Sequence, residues 1–332
     1  MRAVIVRDFG SIEALELGTL PDPSPGADEV VVSIQATAVN YVDLLVIGGK
    51  YQFLPQRPFS PGKLPAGRIL EIGSGVTAFR AGDRVLTLAE QGGYAERVCV
   101  PASACIALPE SMSYVDAASI SLAYDTAWFA LKDRARLSSG ETVLVLGASG
   151  SVGWAAVQLA KAFGAVVLGG ITNSAYGDAV IAAGADAVVD LSRPALREDL
   201  RDQVHAVTAG RGADVVLDML GGMYFEAALR AVAWRGRLVV IGFASGDIPS
   251  VKVNYLLLKN IEVSGLQVSD YRKRMPEMMA ACFAEIFSLF ASGKLRAPPV
   301  RIYPLENFSS ALRDIGDRNV RGRLVLTPNA TA

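Results

Sequence analysis

One segment near the middle of the chain constrains its architecture more than any other: Thr142-Val-Leu-Val-Leu-Gly-Ala-Ser-Gly-Ser-Val-Gly153. An unbroken apolar run enters a turn rich in small residues, and a helical pattern, Val152-Gly-Trp-Ala-Ala-Val-Gln-Leu-Ala-Lys-Ala-Phe163, follows at once. A strand with no polar alternation is covered on both faces, as in a parallel sheet with helices on either side. Gly147 permits the tight turn, Gly150 lets backbone N–H groups approach a pyrophosphate, and Gly153 lets the helix lie close on the strand. Ser149, Ser151 and Val152 complete the turn, which places a phosphate at the positive end of a helix. The spacing is GxxGxxG rather than GxGxxG, so the context must carry the reading of a dinucleotide site. A purely structural glycine turn is the alternative.

The context is extensive. Six short apolar runs, Thr142–Leu146, Ala165–Gly169, Ala187–Val189, Asp214–Leu217, Arg237–Ile241 and Ile261–Ser264, alternate with helical patterns such as Met223–Val232. Strands and helices at this spacing predict a doubly wound parallel sheet with right-handed crossovers. Before Asp116 the texture is different: Val30-Val-Val-Ser-Ile-Gln-Ala36 alternates, and turns at Gly73-Ser-Gly75, Ala81-Gly-Asp83 and Gly92-Gly-Tyr94 separate short strands. From Gly265 one long helix, about Pro276–Ser292, precedes strands ending at Leu324–Leu326. A length of 332 residues suits two domains. We expect residues 122–264 to form an α/β nucleotide domain inserted into a second, β-rich domain made of residues 1–121 and 265–332.

The end of the second strand of such a sheet selects the cofactor. It reads Val167-Leu-Gly-Gly-Ile-Thr-Asn-Ser-Ala-Tyr176, with no acidic residue before Asp178. A carboxylate there would bind a ribose 2′-hydroxyl and repel a 2′-phosphate. Its absence favours NADP(H), with Thr172, Asn173, Ser174 and Tyr176 as the phosphate contacts. No Arg or Lys supports them, so the preference rests on lack of repulsion alone.

Scarcity narrows the chemistry further. The chain has one histidine and three cysteines, too few for a disulfide scaffold or a four-ligand zinc lobe. A Ser-His-Asp hydrolase would rest on His205, which sits mid-helix and away from any motif, as a surface or packing residue. Cys99, Cys105 and Cys282 read as small buried hydrophobes. A formal charge of -1 gives no reason to expect nucleic acid or an acidic membrane as partner. The apolar stretch from Thr142 to Ile171 is broken by six glycines and reads as strand, helix and strand rather than a membrane span. No signal-peptide pattern opens the chain, and a cytoplasmic location is expected.

Many ordered motifs together resemble the zinc-free quinone oxidoreductase (zeta-crystallin-like) branch of the medium-chain dehydrogenase/reductase superfamily. They include Val39-Asn40-Tyr-Val-Asp43, Gly49-Lys-Tyr51, Pro58-Phe-Ser-Pro-Gly62, Val76–Val85, Gly92-Gly-Tyr-Ala-Glu96, Ala123-Tyr-Asp-Thr-Ala127, Gly147–Gly153, Gly210–Val216 and Gly242-Phe-Ala-Ser-Gly246. The resemblance implies a GroES-like catalytic domain plus a Rossmann domain, with the active site in the cleft between them, and a homodimer paired through the last Rossmann strand around Ile261–Val268. It implies NADPH-dependent reduction of quinones or α,β-unsaturated carbonyls. Zinc-dependent relatives carry Cys, His and Glu where this chain has Asn40, Lys63 and Leu64, which implies catalysis without metal.

Hydride addition to an enone or quinone builds negative charge on oxygen, so the site needs hydrogen-bond donors there. Asn40 is the first such donor, a satisfied turn residue being the alternative. Asp43 is expected to order the loop as an acceptor. Tyr51 offers its phenol or merely packs the loop. Lys63 stabilises an enolate, binds an acidic substrate or simply faces solvent. The resemblance adds Thr126, Gly242, Phe243, Ala244 and Leu266 around the nicotinamide. Arg323 is an extra phosphate contact or a solvated arginine. Leu45 stands where the family often has an aromatic residue, and Asp125 where many relatives have Gly or Leu. Two rival readings remain: an enoyl- or acryloyl-thioester reductase, whose basic mouth would need Lys50, Arg57, Lys63 and Arg68, and a non-catalytic NADPH-binding protein.

Overall fold

The structure, a computed structural model, describes residues 1–317, 320 and 322–328. It divides into two compact units. One comprises Met1–Leu122, Tyr271–Phe283 and the residues from Arg296 onward, and the other comprises Ala123–Asp270 and Ala284–Leu295.

The first unit opens with an antiparallel ribbon of β1 (Arg2–Ile5) and β2 (Glu16–Thr19). The long strand β3 (Glu29–Val39) runs into helix α1 (Tyr41–Ile47), and β4 (Ala66–Ile72), β5 (Arg84–Thr87), β6 (Arg97–Pro101) and β7 (Cys105–Ala107) follow. Alternation in β3 sends Val30, Val32 and Ile34 into a core shared with Ile69, Val85, Val98 and Val100. Burying each of these aliphatic side chains contributes on the order of 1.5–3 kcal/mol. Helix α2 (Tyr114–Phe129) then leads toward the second unit.

That unit is an α/β layer structure. Its strands are β8 (Thr142–Leu146), β9 (Val166–Ile171), β10 (Ala187–Asp190), β11 (Ala213–Asp218), β12 (Val232–Val240) and β13 (Glu262–Gly265). Between them run α3 (Ser151–Ala162), α4 (Gly177–Ala182), α5 (Leu196–Val207), α6 (Gly222–Ala231) and α7 (Asn254–Lys259). All pairings are parallel in the order β10-β9-β8-β11-β12-β13, so the strand order reverses between β8 and β11. Ligands of open α/β sheets bind beyond the carboxyl ends of the strands at such a reversal. The expected α/β class and doubly wound parallel sheet are present. Strand β12 starts earlier than the sequence predicts: Val232 pairs with Ala213, and regular pairing resumes only at Arg237 opposite Val215. Arg235, at φ 64°, turns the chain within the irregular stretch between them.

Helices α8 (Val268–Arg274) and α9 (Pro276–Ala291) follow, and β14 (Val300–Pro304), α10 (Phe308–Gly316) and β15 (Arg323–Thr327) complete the first unit. Its larger sheet has the order β14-β15-β3-β4-β5-β7, with β6 also paired to β3. The antiparallel register of β15 on β3 sets Leu324 opposite Val39, Val325 opposite Ala38 and Leu326 opposite Thr37. Among the described residues no helix is long and apolar enough to cross a membrane.

Candidate functional site

In the second unit the glycine turn is built from backbone geometry. Gly147 adopts φ 81°, a left-handed conformation that side chains disfavour, and the N–H groups of Gly147 and Ala148 both donate to the Gly170 carbonyl of β9. A Cβ on Gly153 would lie 2.1 Å from the Gly147 carbonyl oxygen, so α3 can approach the turn only with glycine there. Gly150 is the N-cap of α3, and the first backbone bond of the helix runs from Trp154 N–H to the Gly150 carbonyl. Ser151, Val152 and Gly153 therefore present first-turn N–H groups at the positive end of a 12-residue helix, an anion-binding arrangement.

The neighbouring strand ends frame this turn. Past β9, Thr172, Asn173 and Ser174 are exposed and Tyr176 is half-buried. Asn173 accepts from the Ala175 N–H at 2.9 Å, which shapes the loop. The loops after β11 and β12 are tied together: Ala244 N–H donates to Met219 O at 3.0 Å and Ser245 N–H to Leu220 O at 2.9 Å. Gly242, Phe243 and Ala244 lie on the second of these loops. Asp218 ends β11, and its Oδ1 accepts from the N–H groups of Leu220 and Gly221, both at 2.9 Å. Burial raises its carboxyl pKa, against the lowering effect of those two bonds. Leu266 follows β13 and donates to the Val240 carbonyl at 3.0 Å. Thr126 is buried in α2, and its hydroxyl donates to Asp125 Oδ1 at 3.2 Å. Asp125 is thus a buried, hydrogen-bonded carboxylate.

The first unit carries a cluster of buried charged side chains. Asn40 caps α1, and its backbone N–H donates to Asp43 Oδ2 at 2.8 Å. The same oxygen accepts from the Tyr94 hydroxyl at 2.8 Å. Tyr94 sits over Gly62, where φ is 92° and a Cβ would lie 2.3 Å from the ring. Burial raises the Asp43 carboxyl pKa against the opposing pull of these bonds and of Lys63 and Arg323, and burial also raises the Tyr94 phenol, helped by Asp43. Asn40 Nδ2 donates to Ala38 O at 3.0 Å, and Oδ1 accepts from Arg323 Nη2 at 2.7 Å.

Lys63 and Arg272 share one carboxylate. Lys63 Nζ pairs with Glu90 Oε2 and Arg272 Nη1 with Glu90 Oε1 at 2.6 Å. The Leu64 N–H bond to Ala89 O brings the two loop segments side by side. Burial pushes the Glu90 carboxyl up, but Arg272 and Lys63 outweigh it and hold the group at about 2. Lys63 also lies 5.3 Å from the centre of the Tyr51 ring, a cation–π distance, and Tyr51 meets Phe53 edge-on.

The first unit thus brings together Asn40, Asp43, Tyr51, Lys63 and Arg323, while the glycine turn and the loops after β9 and β12 form a separate group in the second. Three expectations need correction. Lys63 does not face solvent: it is 4% exposed and paired. Arg323 is 3% exposed and bonded to Asn40 rather than solvated. Cys99 is only half-buried, and its thiol donates toward Glu29 at 3.5 Å, whereas Cys105 and Cys282 are buried. Glu90, Tyr94, Arg272 and Asp218 escaped the sequence reading. Of these, Tyr94 alone had a local signal, its place directly after Gly92-Gly93. The donor set does not suit zinc: an ammonium and an amide stand at the ligand positions, and no group of three His, Cys, Asp or Glu side chains among the described residues is placed to hold a metal.

Comparison with known proteins places this geometry. Residues 26–110 match the alcohol dehydrogenase GroES-like domain model and residues 151–284 the zinc-binding dehydrogenase model. The chain is 35% identical over 328 residues to a quinone oxidoreductase-like protein 2 homolog of Nematostella vectensis, covering 98% of this chain and 88% of that one. The quinone oxidoreductase structure from Pseudomonas syringae pv. tomato superposes with a TM-score of 0.91 at 29% identity, covering 98% and 99%. That of Escherichia coli quinone oxidoreductase complexed with NADPH gives 0.90 at 28% identity, covering 99% and 100%.

Proposed function

The chain belongs to the medium-chain dehydrogenase/reductase superfamily, and on that premise we propose that it reduces quinones or α,β-unsaturated carbonyls with NADPH and without a metal. One observation carries this reading: an intact glycine turn at the N-terminus of α3 accompanies a buried cluster in which an amide, Asn40, and an ammonium, Lys63, stand in place of thiolate or imidazole.

The backbone of Gly147, Ser149, Gly150, Ser151, Val152 and Gly153 would hold the pyrophosphate. Thr172, Asn173, Ser174 and Tyr176 would meet the 2′-phosphate, with no carboxylate there to repel it. Thr126, Gly242, Phe243, Ala244 and Leu266 would bound the nicotinamide. When bound, NADPH supplies the hydride. The protein's task is to meet the negative charge that develops on the acceptor's oxygen. Asn40 donates through Nδ2, and the Tyr51 phenol is a second donor. Asp43 fixes the backbone of Asn40 rather than taking a proton from substrate. Lys63, held by Glu90, acts through its field and by supporting the Tyr51 ring.

The thioester reading has less support. A mouth for CoA phosphates needs uncommitted cations, but Lys63 is paired, Arg57 stacks on Phe9 at 3.9 Å and pairs with Asp8, and Arg68 donates to the Gly82 carbonyl. A dimer through β13 is supported by that strand's edge position and by Ile248, Val253, Leu257 and Leu258, each at least 70% exposed. Sedimentation equilibrium tests it, a monomer at every concentration being the contrary result.

The function is tested with purified protein, NADPH or NADH, and a panel of quinones, enones and enoyl thioesters, following nicotinamide absorbance. The expected result is turnover with a quinone or enone and a lower KM for NADPH than for NADH. Faster turnover with thioesters selects the rival enzyme. NADPH binding without oxidation by any acceptor leaves the non-catalytic reading.

A further inference from the structure

We propose that Arg323 is a positioning residue whose guanidinium fixes which way the Asn40 side-chain amide faces, so that an N–H and not a carbonyl oxygen meets the acceptor. This rests on Asn40 being the donor assigned above. A primary amide has nearly the same shape in its two flipped orientations, so packing alone does not choose between them. Hydrogen bonding does. A guanidinium has donors only, and Arg323 Nη2 lies 2.7 Å from the amide oxygen. On the other side, Nδ2 lies 3.0 Å from the Ala38 carbonyl, an acceptor only. A flipped amide would set NH2 against a cation and oxygen against oxygen, and both neighbours reject it. One Nδ2 hydrogen is then used on Ala38, and the second has no partner among the described residues.

The backbone of Asn40 is held independently, by its N–H bond to Asp43 Oδ2. Main chain and amide are therefore fixed by groups of opposite charge, one three residues further on and the other from near the end of the chain. Arg323 reaches Asn40 because Leu324 pairs with Val39, which places the residue before one opposite the residue after the other. The contact spans 283 residues of sequence. It also replaces the phosphate-binding role that a late arginine suggests.

The test compares Arg323→Met, Arg323→Lys, Asn40→Ala and the double variant Arg323→Met/Asn40→Ala. Each is checked for folding by circular dichroism and then assayed for acceptor reduction and NADPH affinity. Losing an oriented donor should lower kcat about tenfold to a hundredfold in Arg323→Met, with the Kd for NADPH unchanged. Arg323→Lys, which keeps one cationic donor, should fall between it and the wild type, and it carries the same comparison if the Met variant does not fold. Adding Arg323→Met to Asn40→Ala should cost nothing further, because the group being positioned is gone. A weakened NADPH Kd with intact kcat, or additive losses in the double variant, would overturn the proposal. If the wild type reduces no acceptor, the functional reading fails while the amide's orientation can still be tested. In 15N-labelled protein the Asn40 amide pair, identified by its loss in Asn40→Ala, should shift and exchange faster in Arg323→Lys. An unchanged pair would refute the role of Arg323.

Discussion

The two units use opposite materials to build their candidate sites. The glycine turn of the second unit is made of backbone: positive φ at Gly147, a helix pressed to within a Cβ of a carbonyl at Gly153, and a helix N-terminus facing the turn. The first unit uses charged side chains taken from water: Asp43 and Arg272 on helices, Lys63 and Glu90 on loops and Arg323 at the start of β15, with Lys63, Glu90 and Arg272 paired to one another and Asp43 and Arg323 bonded to Asn40. Backbone dipoles tolerate burial because the fold already pairs them, whereas buried charges are stable only as a set. The first design is intolerant of added volume, and the second of a missing partner.

The largest effect should come from adding volume to the turn. Gly153→Ala puts a methyl 2.1 Å from the Gly147 oxygen, backbone against backbone. It should cost about 3 kcal/mol in urea denaturation and weaken NADPH binding at least about tenfold. A variant with wild-type affinity would show that the turn has slack and would dissolve the contrast. Next is the loss of a partner. Glu90→Gln leaves two buried cations on a neutral amide and should cost about 2–4 kcal/mol at neutral pH.

That variant also tests the sign of the pH dependence. Glu90, held at about 2 in the fold against 4.5 ordinarily, contributes stability that is complete above 4.5 and is lost as pH falls toward 2. Asp43 runs the other way: its raised pKa gives stability that is full below 3.8 and is lost as pH climbs through the folded value. Urea melts across the acid range should therefore show a shallower loss of stability on acidification in Glu90→Gln than in the wild type. An equally steep loss would mean that Glu90 is not the group responsible.

Smaller effects sharpen the same contrast. Tyr94→Phe removes one donor from Asp43 and should cost about 1–2 kcal/mol while raising the Asp43 pKa further, read from its carboxyl carbon by NMR titration. Arg136→Met breaks a pair with Glu262 whose side chains are each 58% exposed. Its cost should be under about 0.5 kcal/mol, because solvent screens exposed charges. A larger value would show that charge matters here regardless of burial.

The same division explains what could be read from the sequence. Turn, strand and helix of the glycine segment are contiguous, so residue type and spacing suffice to place Gly147, Gly150 and Gly153. The charged cluster is legible only in part. Asn40 and Asp43 lie three residues apart and read as a turn and a loop, where the structure starts α1, and Gly92-Gly93 marks a bend before Tyr94. Nothing local connects Lys63 with Glu90 or either with Arg272, because the pairing depends on the Leu64–Ala89 bond and on a helix that returns from the far end of the chain. Arg323 is the sharpest case. Read alone, an arginine beside a glycine near the C-terminus suggests solvent or phosphate, and only the register of β15 on β3 puts it on Asn40.

The loops after β11 and β12 are fastened by Ala244 N–H to Met219 O and Ser245 N–H to Leu220 O. Neither bond involves a side chain, so these two ties are indifferent to what residues 219, 220 and 244 carry, within the limits of size, while the Ser245 hydroxyl also accepts from the Asp247 N–H at 3.3 Å. Such a pair of loops is an interchangeable fitting on a fixed mount. Those side chains can be exchanged, within these limits, without rebuilding the path of the chain.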